Sequence, residues 1–313
     1  MRGPVRHVLL IREELRRAST PGAHALTLGV FDGVHRGHRM LFERLRAEAA
    51  ARQLGAGIVT FHPHPITVLR PDIEISYLTS LETRVEQLRT TGVDFVAVVQ
   101  FTSELAQVSA EDFARILIEE TGLKLIVTGR DFALGRNREG TPERLGELGL
   151  DLGFEVQPIE LLPEDGAPVS STRVREALAG GAMADAAELL GRPFALRGPI
   201  VRGDERGRTI GFPTINLGLS PDLALPADGV YVSRTEVDGR RLESCTNIGM
   251  RPTFAGVRRS VETHLLDFEG DLYDRIASVE LLHRLRPEQK FDGPEALITQ
   301  IRRDVEETRA WFA

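Results

Sequence analysis

Cysteine is almost absent from the 313 residues: Cys245 stands alone. That excludes an internal disulfide and any zinc cluster built on cysteine pairs. Lysine is nearly as scarce, since only Lys124 and Lys290 occur among 39 basic residues. Neither sits in a Gly-Lys-Ser/Thr loop or on an early kinase-type strand, so Walker loops and protein-kinase lysines are excluded. Nucleotide phosphates, if handled at all, fall to histidine, arginine, backbone N–H groups or a metal. No apolar run approaches the roughly 18–20 residues of a membrane span. The formal net charge of -7 lacks the basic excess that nucleic-acid binding requires. Met1 to Ile11 runs directly into Arg12-Glu13-Glu14 without a small-residue cleavage site, so it is not read as a secretory leader. The expectation is a cytoplasmic protein with no nucleic-acid or membrane partner; no oligomeric state is read from the sequence.

What is present divides in two. In the first half, short apolar runs at Ala25–Phe31, Gly57–Phe61, Phe95–Phe101 and Leu123–Thr128 alternate with helical patterns at Arg39–Gln53 and Leu81–Thr90. A further helix opens at Ser109, with Asp112 three residues on, an imperfect capping box. Alternation of this kind predicts an α/β unit with a parallel sheet, which binds ligands beyond the carboxyl ends of its strands. One helix is predicted over Thr172–Leu190. After Gly191-Arg192-Pro193 the pattern turns β-rich, with short segments at Gly198–Val201, Gly229–Val237, Leu242–Ile248, Ser260–Leu266 and Ser278–Leu285 and a last helix over Pro294–Phe312. A small antiparallel β-barrel with a terminal helix is predicted. The boundary is placed near residue 185, giving units 1–185 and 186–313.

The stretch from Gly29 to His38, Gly-Val-Phe-Asp-Gly-Val-His-Arg-Gly-His, leads from a predicted strand into a predicted helix. Glycines let backbone approach a ligand, and a helix start offers N–H groups and partial positive charge. His35 and His38, three apart, can face the same side and stabilise charge building at phosphorus. A bare His-x-Gly-His is more often a surface turn; its place after a strand makes function the better reading. Thr60 to Pro65, with His62 and Pro63, and the Asp131-Phe132 loop follow two other strands. Ser170 to Arg175 opens a helix with hydroxyls and arginines, which suits a triphosphate but taken singly reads as an ordinary cap.

In the second half, Gly203, Gly207 and Gly211 punctuate a charged turn followed by Phe212-Pro213-Thr214-Ile215-Asn216. Thr214 and Asn216 are two apart, so an extended segment puts both on one face. Their oxygens are hard ligands suited to Mg²⁺. Phosphorylating an alcohol also requires a group to accept its proton, and Glu262 is the candidate. By alternation alone it is a solvent-facing carboxylate.

The first half resembles the nucleotidyltransferase part of bacterial bifunctional riboflavin kinase/FAD synthetases, on the Gly29–His38 stretch, Thr60–Pro65, Asp131-Phe132 and Ser170–Arg175. The second half resembles riboflavin kinase, on Gly211–Asn216, Pro226–Tyr231, Asn247–Phe254, Val261-Glu262, Asp271–Tyr273 and Arg286–Phe291. The resemblance implies a Rossmann-like adenylyltransferase unit followed by a kinase barrel, with ATP, riboflavin and FMN as small-molecule substrates and Mg²⁺ as cofactor. It assigns ATP contacts to Gly29, Phe31, Asp32, Gly37, Ser171, Thr172 and Arg175, flavin contacts to His62, Pro63, Asp131 and Phe132, and catalysis to His35, His38 and Glu262. In the barrel it assigns phosphate contacts to Gly203, Gly207, Gly211, Thr214 and Asn216, the last two also holding the metal. Asp32 and Asp131 are the candidates to assist a metal in the first unit. Four positions depart from the family pattern: Arg84 for lysine, Leu134 for phenylalanine, Ile215 for alanine and Asp274 for glycine. Two rivals stay open: adenylyl transfer to another acceptor, such as a pantetheine or nicotinate phosphate, with a regulatory barrel, and a flavin-binding protein that consumes no ATP.

Overall fold

Five strands carry the first unit: β1 (His24–Gly29), β2 (Gly55–His62), β3 (Phe95–Gln100), β4 (Leu123–Gly129) and β5 (Glu155–Ile159). They form one parallel sheet in the order β3-β2-β1-β4-β5. The computed structural model describes residues 4–160, 168–203, 207, 210–253 and 256–313, and contacts divide the chain into Met1–Val169 and Ser170–Ala313.

The helices of this unit are α1 (Pro4–Ala18), α2 (Arg36–Ala51), the short α3 (Pro65–Leu69), α4 (Leu81–Arg89), α5 (Ala110–Thr121) and α6 (Pro142–Leu152). Local chemistry sets their ends. Ser109 caps α5 by accepting the Asp112 N–H at 3.0 Å, and Gly122 ends it at φ +64°. Thr141 caps α6 with Pro142 in its first turn, where a missing N–H costs nothing. Two apolar clusters fill the unit. One is centred on Leu26, Leu117 and Ile126, and the other on Leu45, Ile58 and Val127. The chain reverses direction across the sheet between β1 and β4, the place where such folds bind ligands.

Several elements depart from the sequence expectation. α1 was not predicted, yet it buries Ile11 and Leu15 in the first cluster. α6 and β5 were not predicted either: β5 reads Glu-Val-Gln-Pro-Ile, polar and interrupted by Pro158, which an edge strand tolerates. The single helix over Thr172–Leu190 is two, α7 (Ser171–Gly180) and α8 (Met183–Leu190). Gly181 adopts φ +72° between them, a conformation that ends a helix.

The second unit is a closed antiparallel barrel. Its strands are β6 (Phe194–Val201), β7 (Thr214–Leu217), β8 (Gly229–Val237), β9 (Arg240–Thr253), β10 (Gly256–Leu265) and β11 (Ile276–Pro287), ordered β10-β7-β6-β11-β8-β9. A run of buried hydroxyls bonds across three strands: Thr235 to Ser244, Ser244 to Ser233, Ser233 to Thr246 and Thr246 to Thr263, each 2.7–2.9 Å. The terminal helix, Pro294–Phe312, docks through Asp304, which is 3% exposed and takes two bonds from Arg286 at 2.7 and 2.9 Å. Cys245 is buried nearby, and burial pushes its thiol up to about 12, so it is inert. Asp274 adopts φ +64°, which accounts for glycine being usual there. Asp204, Glu205, Arg206 and Arg208 of the glycine-rich turn and Phe254 lie outside the described residues.

Two candidate active sites

The first site grows from the end of β1. Phe31, Gly33 and Val34 adopt φ of +54°, +78° and +42°, folding the chain tightly before α2 starts. A Cβ at Gly29 would meet the Phe31 ring at 2.8 Å, and one at Gly37 would meet the His35 ring at 3.3 Å. Both glycines are therefore spaces for aromatic rings. His35 caps α2, its Nδ1 accepting the His38 N–H at 3.4 Å; a neutral His35 then carries its proton on Nε2. The two imidazoles stack at 3.6 Å with 18° between planes, and Phe31 meets His38 edge-on at 5.2 Å. Burial, reinforced by His35, holds His38 well below its ordinary value of 6.5. At neutral pH His38 is thus an uncharged donor or acceptor, and its Nδ1 is buried without a partner among the described residues.

Around this pair the other predicted residues take different places. Asp32 is 3% exposed and accepts the Leu78 N–H at 3.0 Å on both oxygens. Asp131 is exposed, whereas Phe132 is half-buried against the apolar cluster. The His62–Pro63 peptide is cis, and His62 Nδ1 lies 3.5 Å from Arg84. No group of three or more His, Cys, Asp or Glu among the described residues could hold a metal. Leu134 is buried and pairs with Gly140. Ser171, Thr172 and Arg175 belong to the second unit at the start of α7, where Ser170 is the cap, accepting the Arg173 N–H at 3.3 Å.

The second site is written in strand register. β7 and β10 pair Asn216 with Glu262 and Thr214 with His264; on its other side Glu262 faces Asn247 of β9. Directly paired residues share a face, so the register puts Thr214, Asn216 and Glu262 on one face. Gly203 and Gly207 lie against Asn216 and Thr214. A Cβ at Gly203 would run into Asn216 Nδ2 and stand 2.8 Å from its Oδ1, and one at Gly207 would run into the Phe212 carbonyl oxygen and stand 3.5 Å from Thr214 Oγ1. The Thr214 hydroxyl and the Asn216 amide oxygen are two neutral donors of a kind that fits Mg²⁺. Gly211, at φ +87°, has open space around it. Ser260 donates to Glu262 Oε1 at 3.3 Å, and His264 Nδ1 lies 2.8 Å from the Pro213 carbonyl. A cavity of about 460 Å³ adjoins Thr214, lined also by Leu265, Asp271 and Tyr273.

Comparison with known proteins matches both halves. A family model described as FAD synthetase covers residues 17–173, and one described as riboflavin kinase covers 190–312. Proteins named bifunctional riboflavin kinase/FMN adenylyltransferase are 40% identical over 289 residues in Escherichia coli K12, 92% of either chain. The chain belongs to the bifunctional riboflavin kinase/FMN adenylyltransferase family. The family's Bacillus subtilis member is 35% identical over 308 residues, covering 97% of this chain and 95% of that one. A solved structure described as a macrolide-efflux protein from Streptococcus pneumoniae aligns with a TM-score of 0.85 at 34% identity, over 95% of this chain and 97% of the other. Among the described residues no helix is long and apolar enough to cross a membrane.

Proposed function

We propose that this chain makes FAD from riboflavin in two ATP-dependent steps at separate sites, phosphorylation in residues 186–313 and adenylylation in residues 1–185. The observation that carries the reading is the register that sets Glu262 opposite Asn216 with Thr214 two residues along the same face. In the barrel, Glu262 takes the proton of the riboflavin 5′-hydroxyl as its oxygen attacks the γ-phosphorus of ATP and ADP leaves. Thr214 and Asn216 would hold Mg²⁺, which when bound neutralises phosphate charge. Gly203, Gly207 and Gly211 would contact the phosphates through their backbone N–H groups.

In the first unit, a phosphate oxygen of FMN attacks the α-phosphorus of ATP and pyrophosphate leaves. His35 and His38 donate hydrogen bonds to the charge that builds there. Neutral imidazoles suit this role, because preorganised donors stabilise a developing anion without needing a counter-charge. Gly29, Phe31, Asp32 and Gly37 shape the ATP loop. His62, Pro63, Asp131 and Phe132 bound the flavin side, and the family resemblance assigns phosphate contacts to Ser171, Thr172 and Arg175. No enzyme-bound intermediate is needed. A cytoplasmic location accords with the use of ATP in both steps.

The test is incubation of the purified chain with riboflavin and MgATP, followed by chromatographic separation of flavins. FMN appears first and FAD follows, with ADP and pyrophosphate as co-products. Unchanged riboflavin, or adenylyl transfer to other phosphorylated acceptors without FMN formation, would sink the reading.

A further inference from the structure

One segment, Tyr77–Arg84, touches both loops of the first site, and no motif gives it a role. Tyr77 Oη accepts the His64 N–H at 2.7 Å, and its ring lies 5.7 Å from that of His62. Leu78 donates its N–H to Asp32. Its side chain fills the space at Gly33, where a Cβ would meet Leu78 Cδ1 at 2.6 Å. Arg84 completes the clamp. Its Nη1 donates to the Val30 carbonyl at 3.0 Å, and its Nη2 reaches the Phe61 carbonyl at 3.4 Å and His62 Nδ1 at 3.5 Å. The Val30 carbonyl also accepts from Thr60 Oγ1 at 2.9 Å, which fixes the peptide just before the left-handed Phe31.

Arg84 is 1% exposed, and its Nε has no partner among the described residues. Its hydrogen bonds go to two backbone carbonyls, with His62 Nδ1 at 3.5 Å, and the nearby Asp32 carboxylate offsets only part of the cost of its burial. Burying a guanidinium this way is costly, and an apolar side chain of similar volume fills a core more cheaply. What arginine adds is a planar fork that bonds in two directions from one rigid group. Those directions are the ends of β1 and β2, the first leading to His35 and His38 and the second to His62 and Pro63.

We propose that Arg84 is a positioning residue for FMN adenylylation, setting the spacing between the histidine pair and the His62–Pro63 loop. The proposal rests on the reading of the first site given above. Lysine keeps the charge and reaches one acceptor at a time; methionine reaches none.

Arg84→Met and Arg84→Lys in the full chain separate this role from simple stability. In Arg84→Met, kcat for FAD formation falls about thirtyfold and KM for FMN rises, because a small displacement between reacting groups is enough to slow transfer. Arg84→Lys recovers part of both losses, and FMN formation from riboflavin stays within about twofold of wild type on the same preparation. Thermal melting confirms that both variants are folded at the assay temperature. Overturning results are a kcat within about threefold of wild type in Arg84→Met, or a loss proportional to the unfolded fraction with KM for FMN unchanged and no advantage of lysine over methionine. Should Arg84→Met fail to fold, Arg84→Lys decides alone: a raised KM for FMN in a folded chain supports the proposal, and an unchanged one ends it. A wild-type chain that makes no FAD from FMN overturns the site reading itself, and this inference with it.

Discussion

The two candidate sites are built by opposite means. The histidine site depends on loops: three left-handed residues within four positions, Phe31, Gly33 and Val34, secured by partners 46 and 54 residues away, Leu78 and Arg84. The barrel site depends on register, because Asn216, Glu262 and Asn247 are set side by side by neighbouring strands. A one-residue slip there would turn every side chain to the other face, so pairing alone holds the geometry. A loop-built site is adjustable and sensitive to strain, whereas a register-built site is rigid and sensitive to the identity of its few chemical groups.

The sharpest way to break this comparison is to remove those groups one at a time. Glu262→Gln is expected to lower kcat for FMN formation about a thousandfold, within the usual range for a lost general base, with FAD formation from supplied FMN unchanged. Full kinase turnover in the variant would remove Glu262 from the chemistry. His38→Ala does the reverse, slowing FAD formation about a hundredfold by losing one preorganised donor while riboflavin is still phosphorylated. Equal loss of both steps would argue against independent sites.

Smaller effects sharpen the contrast in strain. Gly33→Ala meets both a left-handed backbone and the Leu78 side chain and is expected to cost about 2–3 kcal/mol in chemical denaturation. Gly211→Ala meets only the backbone conformation, at φ +87° in open space, and is expected to cost about 1 kcal/mol. Equal costs would show that crowding at Leu78 is relieved by movement. The smallest effect is on pH. His38 takes up a proton in the unfolded chain as the pH falls through about 6.5, while burial keeps it neutral in the folded one. The unfolded state then binds more protons, so this group's contribution is complete above that pH and is lost below it, with a slope of up to about 1.4 kcal/mol per pH unit. His38→Phe should flatten the stability profile between pH 5 and about 6.5; parallel profiles for variant and wild type would refute the assignment.

Sequence reading recovered what local pattern encodes. The buried strands around Leu26, Ile58, Val96 and Ile126 announce themselves as apolar runs, and Gly29–His38 shows its strand, turn and helix in order. That Thr214 and Asn216 share a face is legible because alternation on a strand is a short-range rule, whereas Glu262 stands out only through the resemblance, since alternation alone reads it as a solvent-facing carboxylate. β5 was hidden by Pro158 and its polar residues, and α7 was joined to α8 because Gly180-Gly181 was not weighed as a stop. The clamp at Tyr77–Arg84 could not be seen at all. Its partners are far away in sequence, and in the sequence Arg84 stands out only as a departure from the family's usual lysine; its burial and its bonds come with the fold. Asp32 was a candidate for phosphate or metal; its bonds to Leu78 show a structural duty that no motif advertises.

Closure of the barrel has a consequence for assembly. Every one of its six strands is paired on both sides, so its backbone offers no row of vacant donors and acceptors to another chain. Among the described residues the open rims are those of the parallel sheet, at β3 and β5. Each is blunted at one point: the Glu14 carboxylate occupies the Gln100 N–H, and Pro158 brings no N–H at all. Both devices work against copies of this protein joining by extending one another's sheets.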